Sequence, residues 1–97
     1  SELHLDWSRP QRELHATVRL GGAWTSFRDR RLKVHRVERV TDVAPALAPG
    51  AIDGTLVGTG DGGVLRLVEV QPEGKGRLAA SAWLNGARPA PAERLGP

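Results

Sequence analysis

The chain has 97 residues, 39% of them hydrophobic, no cysteine and a formal net charge of +3. That length holds one small core but not two, the lack of cysteine excludes a disulfide framework or a zinc ribbon, and no apolar run approaches the ~20 residues of a membrane-spanning helix. Twelve of the fourteen basic residues are arginine, whose forked guanidinium suits phosphate oxygens, so the charge balance favours a polyanionic partner. No basic leader with an apolar stretch opens the sequence, and the expected setting is cytoplasmic.

Leu3 and Leu5 alternate with Glu2 and His4, as in a short strand or an extended arm. A helix is predicted over residues 9–19. Ser8 is placed to cap it, Pro10 falls in the first turn, Gln11 completes a capping-box spacing, Leu14 and Val18 form an apolar stripe, and Gly21-Gly22 ends it. Residues 23–28 (AWTSFR) read as a strand, followed by a turn at Asp29-Arg30. Residues 32–43 begin with strand alternation at Leu32 and Val34, but Val37, Val40 and Val43 then recur every third residue. Stiff valines favour a strand whose phase changes near Arg36, at a bulge. Residues 44–53 are a Pro/Gly-punctuated loop, 56–59 a short strand, and Asp61-Gly62-Gly63 a hairpin signal. Residues 64–70 (VLRLVEV) are the candidate central strand. QPEGKG is then a turn exposing Lys75, and residues 78–85 a short helix with Gly86 as its C-terminal cap. Leu95 is the apolar anchor of an extended tail. Three to five strands with a glycine-dense middle and one late helix fit a small, mainly β open barrel with short helices.

Most constellations that could carry chemistry are absent. His4, His15 and His35 lie in three different elements without metal-ligand spacing, so no metal site is expected. No serine sits in a nucleophile elbow and no carboxylates are paired, so no catalytic residue is assigned. GTGDGG lacks the Lys-Ser/Thr of a phosphate loop and precedes a strand, which makes it a turn. Trp7, Trp24 and Trp83 are flanked by small or turn residues and read as core anchors. The basic residues are more informative: Arg28, Arg30, Arg31, Lys33, Arg36 and Arg39 crowd around one predicted hairpin, Lys75 and Arg77 form a second basic turn, and Arg88 follows the late helix. Lys33 and His35 share a strand face, which Arg39 joins only if no bulge intervenes. Such spaced cations suit a sequence-independent phosphate track, set against the alternative of a solvated charged face.

Three stretches carry a family resemblance: LDWSRPQRELHATVR, GAWTSFRDRRLKVHR and GDGGVLRLVEVQPEGKGRLAASAWLNG, the last followed by Arg94-Leu95-Gly96. Together they resemble the C-terminal domain of methionyl-tRNA formyltransferases, nearly end to end. The resemblance implies an N-terminal arm and linker helix over residues 1–22 and an OB-like barrel over residues 23–97. It implies a non-catalytic domain that grips initiator tRNA through its backbone, while a separate N-terminal domain transfers the formyl group from 10-formyltetrahydrofolate, so this chain would hold no cofactor itself. Arg30, Arg31, Lys33, Arg36, Lys75, Arg77 and Arg88 are the tRNA-facing candidates; Lys33, Lys75, Arg77 and Arg88 are carried over by position. The sequence departs from the family pattern in several places. Leu20-Gly21-Gly22 bridges where a Pro-Trp-Pro-Gly-like insertion is usual, only Ala51-Ile52 precedes Asp53-Gly54, Gly76 replaces a second basic residue, and Ala79 takes the usual serine cap position. The alternatives are the accessory domain of a sugar or folate formyltransferase or hydrolase, and a scaffold barrel that binds no RNA.

Overall fold

The computed structural model describes residues 3–42, 44–91 and 93–96. Two long strands carry the architecture. β3 (Arg30–Arg39) and β6 (Val64–Pro72) pair antiparallel, from Leu32 opposite Pro72 to Arg39 opposite Leu65. The apolar run at 64–70 is the central strand, as expected, because β6 also pairs with β5 (Leu56–Gly58) and β7 (Leu78–Ala79). β2 (Ala23–Phe27) flanks β3, β1 (Leu3–His4) runs parallel to β2, and β4 (Ile52–Asp53) lies beyond β5. The path is β1-β2-β3-β6-β5-β4, with β7 branching from β6, and no ladder joins β1 to β4 among the described residues. This is the expected mainly β, open architecture. It holds seven strands among the described residues rather than three to five; three of them, β1, β4 and β7, are only two residues each.

The irregular valine spacing has the predicted explanation. The β3–β6 register shifts on either side of Arg36, skipping His35 on β3 and Val68 on β6. A regular strand would send Val34 and Val37 to opposite faces. The paired shifts turn both inward, opposite Val70 and Leu67, and all four are buried. β3 ends at Arg39 rather than continuing, because its partner β6 starts at Val64; Val43 lies outside the described residues.

Helix α1 (Gln11–Leu20) buries Leu14 and Val18 and stops at Gly21, whose φ of 87° suits glycine. Its N-terminus differs from expectation. Pro10 occupies the cap position, and the Ser8 hydroxyl donates instead to Asp6 Oδ1 at 2.6 Å. The Gln11 amide turns into the core, where Nε2 donates to the carbonyls of Val40 (2.9 Å) and Val64 (2.6 Å) and Oε1 accepts from Arg39 Nε (3.0 Å). The helix is capped from a distance. Asp61 Oδ1 accepts the Gln11 N–H at 3.2 Å as well as the Thr59 hydroxyl and the Gly63 N–H. The Asp61-Gly62-Gly63 turn therefore closes the β5–β6 hairpin and holds α1 in place.

Leu78 and Ala79 pair with β6 as β7, so the late helix α2 starts two residues beyond expectation, at Ala80–Ala87. Ala79 stands at its N-cap with extended backbone and no side-chain cap, and Gly86 lies inside the helix. The left-handed turn falls instead at Arg88 (φ 47°), where the guanidinium of Arg28 takes the carbonyls of Ala87 (2.9 Å) and Arg88 (3.3 Å). Arg28 and Asp29 both have positive φ, so the β2–β3 turn sits one residue earlier than predicted. Arg28 also grips Glu93 with two hydrogen bonds, of 2.7 and 2.9 Å. The tail then crosses the opening of the sheet: Ile52 N–H donates to the Glu93 carbonyl, Leu95 N–H to Gly50 and Gly96 N–H to Ser26. Leu95 is buried as the expected anchor.

Two predictions follow from these termini. Ala79→Ser supplies the missing cap and should stabilise the fold by about 1 kcal/mol, read as a shift in denaturant midpoint with unchanged slope. The Glu93 carboxyl is drawn from 4.5 to about 2, first by the hydrogen bond from Arg28 and then by the Ala90 N–H. A carboxylate lowered on folding adds stability above its unfolded value and loses it as pH falls toward its folded value. Glu93→Gln should therefore melt lower than the parent near neutrality, and the difference should shrink between pH 4.5 and 2.

Candidate nucleic-acid interface

The strand registers set His4, Trp24, Lys33 and Gln71 in one row across β1, β2, β3 and β6. Ser26 opposite Arg31 makes the next row toward the β2–β3 turn. These positions alternate with the buried Ala23, Thr25, Phe27, Leu32 and Val34, so they belong to the outer face. The Arg31 guanidinium lies over the Trp24 ring, 4.0 Å from its centroid, and the His4 ring meets Trp24 at 4.4 Å. A cation over an indole is attracted by the ring quadrupole, which fixes the long arginine stem against the sheet.

Lys75 is held beside this row by its own turn. Gln71 Nε2 donates to the Lys75 carbonyl at 2.8 Å, and Gln71 Oε1 is paired with His35 Nε2 at 2.8 Å. The Glu73 N–H donates to the Arg31 carbonyl, and Gly74 takes the positive φ of 76° that the turn requires. Arg30, Arg31 and Lys75 thus line one groove of about 300 Å3 with Phe27, Trp83 and Glu73, and Arg31 and Lys33 line a smaller one beside it.

The seven candidates do not form one patch. Arg30, Arg31, Lys33 and Lys75 come together at the start of β3 and the end of β6. Arg77 lies near them but is 3.5 Å from Glu69, the residue opposite Arg36 in the ladder. Arg36 itself lines a different groove, between α1 and β3. Arg88 sits at the end of α2, where its carbonyl accepts from Arg28. Among the described residues, Arg30, Lys33, Arg36 and Lys75 have no carboxylate within 4.0 Å, whereas Arg9, Arg28, Arg66 and Arg77 all do. Unpaired cations are the ones a phosphate can take without breaking an existing contact.

Trp24 is the residue that the sequence reading misplaced. Trp7 and Trp83 are core anchors: Trp7 donates to Thr25 Oγ1 at 3.0 Å, and Trp83 meets Phe27 edge-on. Trp24 is half-buried on the outer face. Period-two alternation within AWTSF already separates it from Ala23, Thr25 and Phe27, a signal that its small neighbours obscured. No group of three or more His, Asp or Glu side chains that could hold a metal forms among the described residues, and no helix there is long and apolar enough to cross a membrane.

A mainly β module with a latched basic turn and an arginine-stacked tryptophan on its outer face is consistent with the family comparison. Residues 1–88 match the formyl transferase C-terminal domain family, and the chain belongs to that family. It is 43% identical over 108 residues to the methionyl-tRNA formyltransferase of Frankia alni, covering 94% of this chain and 32% of that protein. It is 45% identical over 92 residues to that of Thermobifida fusca (91% and 29%), and 41% identical over 102 residues to that of Saccharopolyspora erythraea (97% and 32%). The chain spans about a third of the length of these relatives.

Proposed function

We propose that this chain is a non-catalytic, cytoplasmic tRNA-binding module that helps to position initiator Met-tRNA for formylation by a separate catalytic domain, the one that would hold 10-formyltetrahydrofolate. The observation that carries this reading is the cluster of Arg30, Lys33 and Lys75, cations without carboxylate partners among the described residues, gathered around one latched turn. Relatives that match nearly the whole chain are named for a tRNA substrate, which fits a phosphate-binding face. In this reading the module comprises an arm and linker helix over 1–22 and a barrel over 23–97. Arg30, Arg31, Lys33 and Lys75 form the principal track, with Arg36, Arg77 and Arg88 at its margins.

Such a face reads shape and charge. Lysine and arginine set the backbone in register, and the ring of Trp24, occupied by Arg31, stiffens a cation rather than stacking on a base. Gly76 takes no positive φ, and a Cβ built there meets nothing within 4 Å, so a lysine side chain fits at that position.

Titration with initiator tRNA at several salt concentrations tests the proposal. Binding should weaken steeply as salt rises, Lys33→Ala and Lys75→Ala should each flatten the log–log slope by about 0.9, and Gly76→Lys should steepen it by a similar amount. No binding at low salt, or slopes indifferent to all three changes, would overturn it.

A further inference from the structure

Past the β3 bulge, α1 and the second half of β3 enclose a groove of about 450 Å3 that the outer face does not use. His15, Val18 and Arg19 line it from the helix, and residues 35–39 line it from the strand. His15 and Arg19 stand one helical turn apart and so share a face. Arg39 donates through Nε to Gln11 Oε1 at 3.0 Å, which leaves its two terminal nitrogens without a partner among the described residues. No carboxylate lies within 4.0 Å of Arg19, Arg36 or Arg39 among the described residues. The one acidic residue lining the groove, Glu38, is 3.6 Å from Arg66.

The result is a concave site lined by three arginines and by one glutamate that already has a counterion. The groups facing His15 are Arg19 on its own helix and His35, Arg36, Glu38 and Arg39 on β3. The His35 ring is committed to Gln71. His15 feels the positive field: burial first, then Arg19 and Arg39, hold its imidazole below its ordinary value. An oxyanion entering here would meet several forked donors, the arrangement that favours phosphate.

We propose that the α1–β3 groove is a phosphate-oxyanion site built by Arg19, Arg36 and Arg39, and that its occupant is a backbone phosphate of the RNA held by the outer face. The RNA part rests on the function proposed above; the anion site does not. Lys33 and Arg39 are separated by six residues of strand, about 20 Å at ~3.3 Å per residue, so the two sites would contact separate phosphates of one RNA.

The test follows the His15 ring resonances of the intact chain by NMR during pH titrations in chloride, with inorganic pyrophosphate, and with tRNA. Pyrophosphate should raise the His15 pKa, because a bound anion offsets the arginine charges. Arg19→Gln should reduce that upward shift and should flatten the tRNA salt slope by about 0.9, with an unchanged melting temperature. If pyrophosphate moves His15 but tRNA does not, the site is an anion site for a free phosphate compound and the RNA assignment is overturned. If pyrophosphate leaves His15 unmoved and Arg19→Gln leaves the slope unchanged, the groove is no anion site. Should tRNA fail to bind at all, the function proposed above falls, and the pyrophosphate arm still decides the groove.

Discussion

At Arg36 the two central strands change phase together. β3 skips His35 and β6 skips Val68, so Val34 and Val37 on one strand and Leu67 and Val70 on the other all reach the core. Because side chains alternate along a strand, a register slip of a single residue exchanges faces. A bulge on β3 alone would leave β6 out of step, and the two compensate. The same adjustment sorts the cations. Lys33 and Arg31, before it, stay on the outer face beside Trp24, while Arg39, beyond it, meets Gln11 at the start of α1. One strand thus supplies two separate basic regions, and the irregular valine spacing of the sequence is the trace of that division.

Contacts between residues far apart in sequence hold the peripheral pieces on this ladder. Gln11 makes three side-chain hydrogen bonds inside, and Asp61, fifty residues away, accepts its backbone N–H. A buried amide left without partners would destabilise the fold, so full satisfaction fixes the angle at which α1 meets the sheet. At the opposite end, Arg28 gathers the end of α2 and the tail carboxylate of Glu93 onto the β2–β3 turn. A Cβ at Gly60 would collide with the Ser8 carbonyl, which shows how closely the hairpin turn and the approach to α1 are packed. These ties place the basic turn and the groove on rigid supports.

Much of this was legible in the sequence. Local pattern located α1, β2, the bulged β3, the DGG hairpin and the central β6, because periodicity and turn chemistry act within a few residues. The features it missed depend on distant partners. Gln11 has capping-box spacing, but the carbonyls of Val40 and Val64 compete for its amide. Gly86 looked like a cap, yet the helix runs on to Ala87, where Arg28 meets the carbonyls at its end. In the candidate interface, the sequence shows two separate basic turns, at Arg30-Arg31 and at Lys75-Arg77, and the structure sets Arg30, Arg31 and Lys75 along one groove. The pairing of Arg77 with Glu69, the separation of Arg36 and Arg88 from that group, and the stacking of Arg31 on Trp24 required the registers.

The indole N–H groups of Trp24 and Trp7 allow the placement of the proposed RNA face to be measured directly. Trp24 lies on the outer face, whereas Trp7 and Trp83 are core residues, with Trp7 hydrogen-bonded to Thr25. In a nitrogen–proton NMR titration with initiator tRNA, the account predicts that the Trp24 indole signal moves or broadens together with the backbone amides of Arg31, Lys33 and Lys75, while the Trp7 signal stays. A saturating titration that leaves Trp24 unmoved would contradict it.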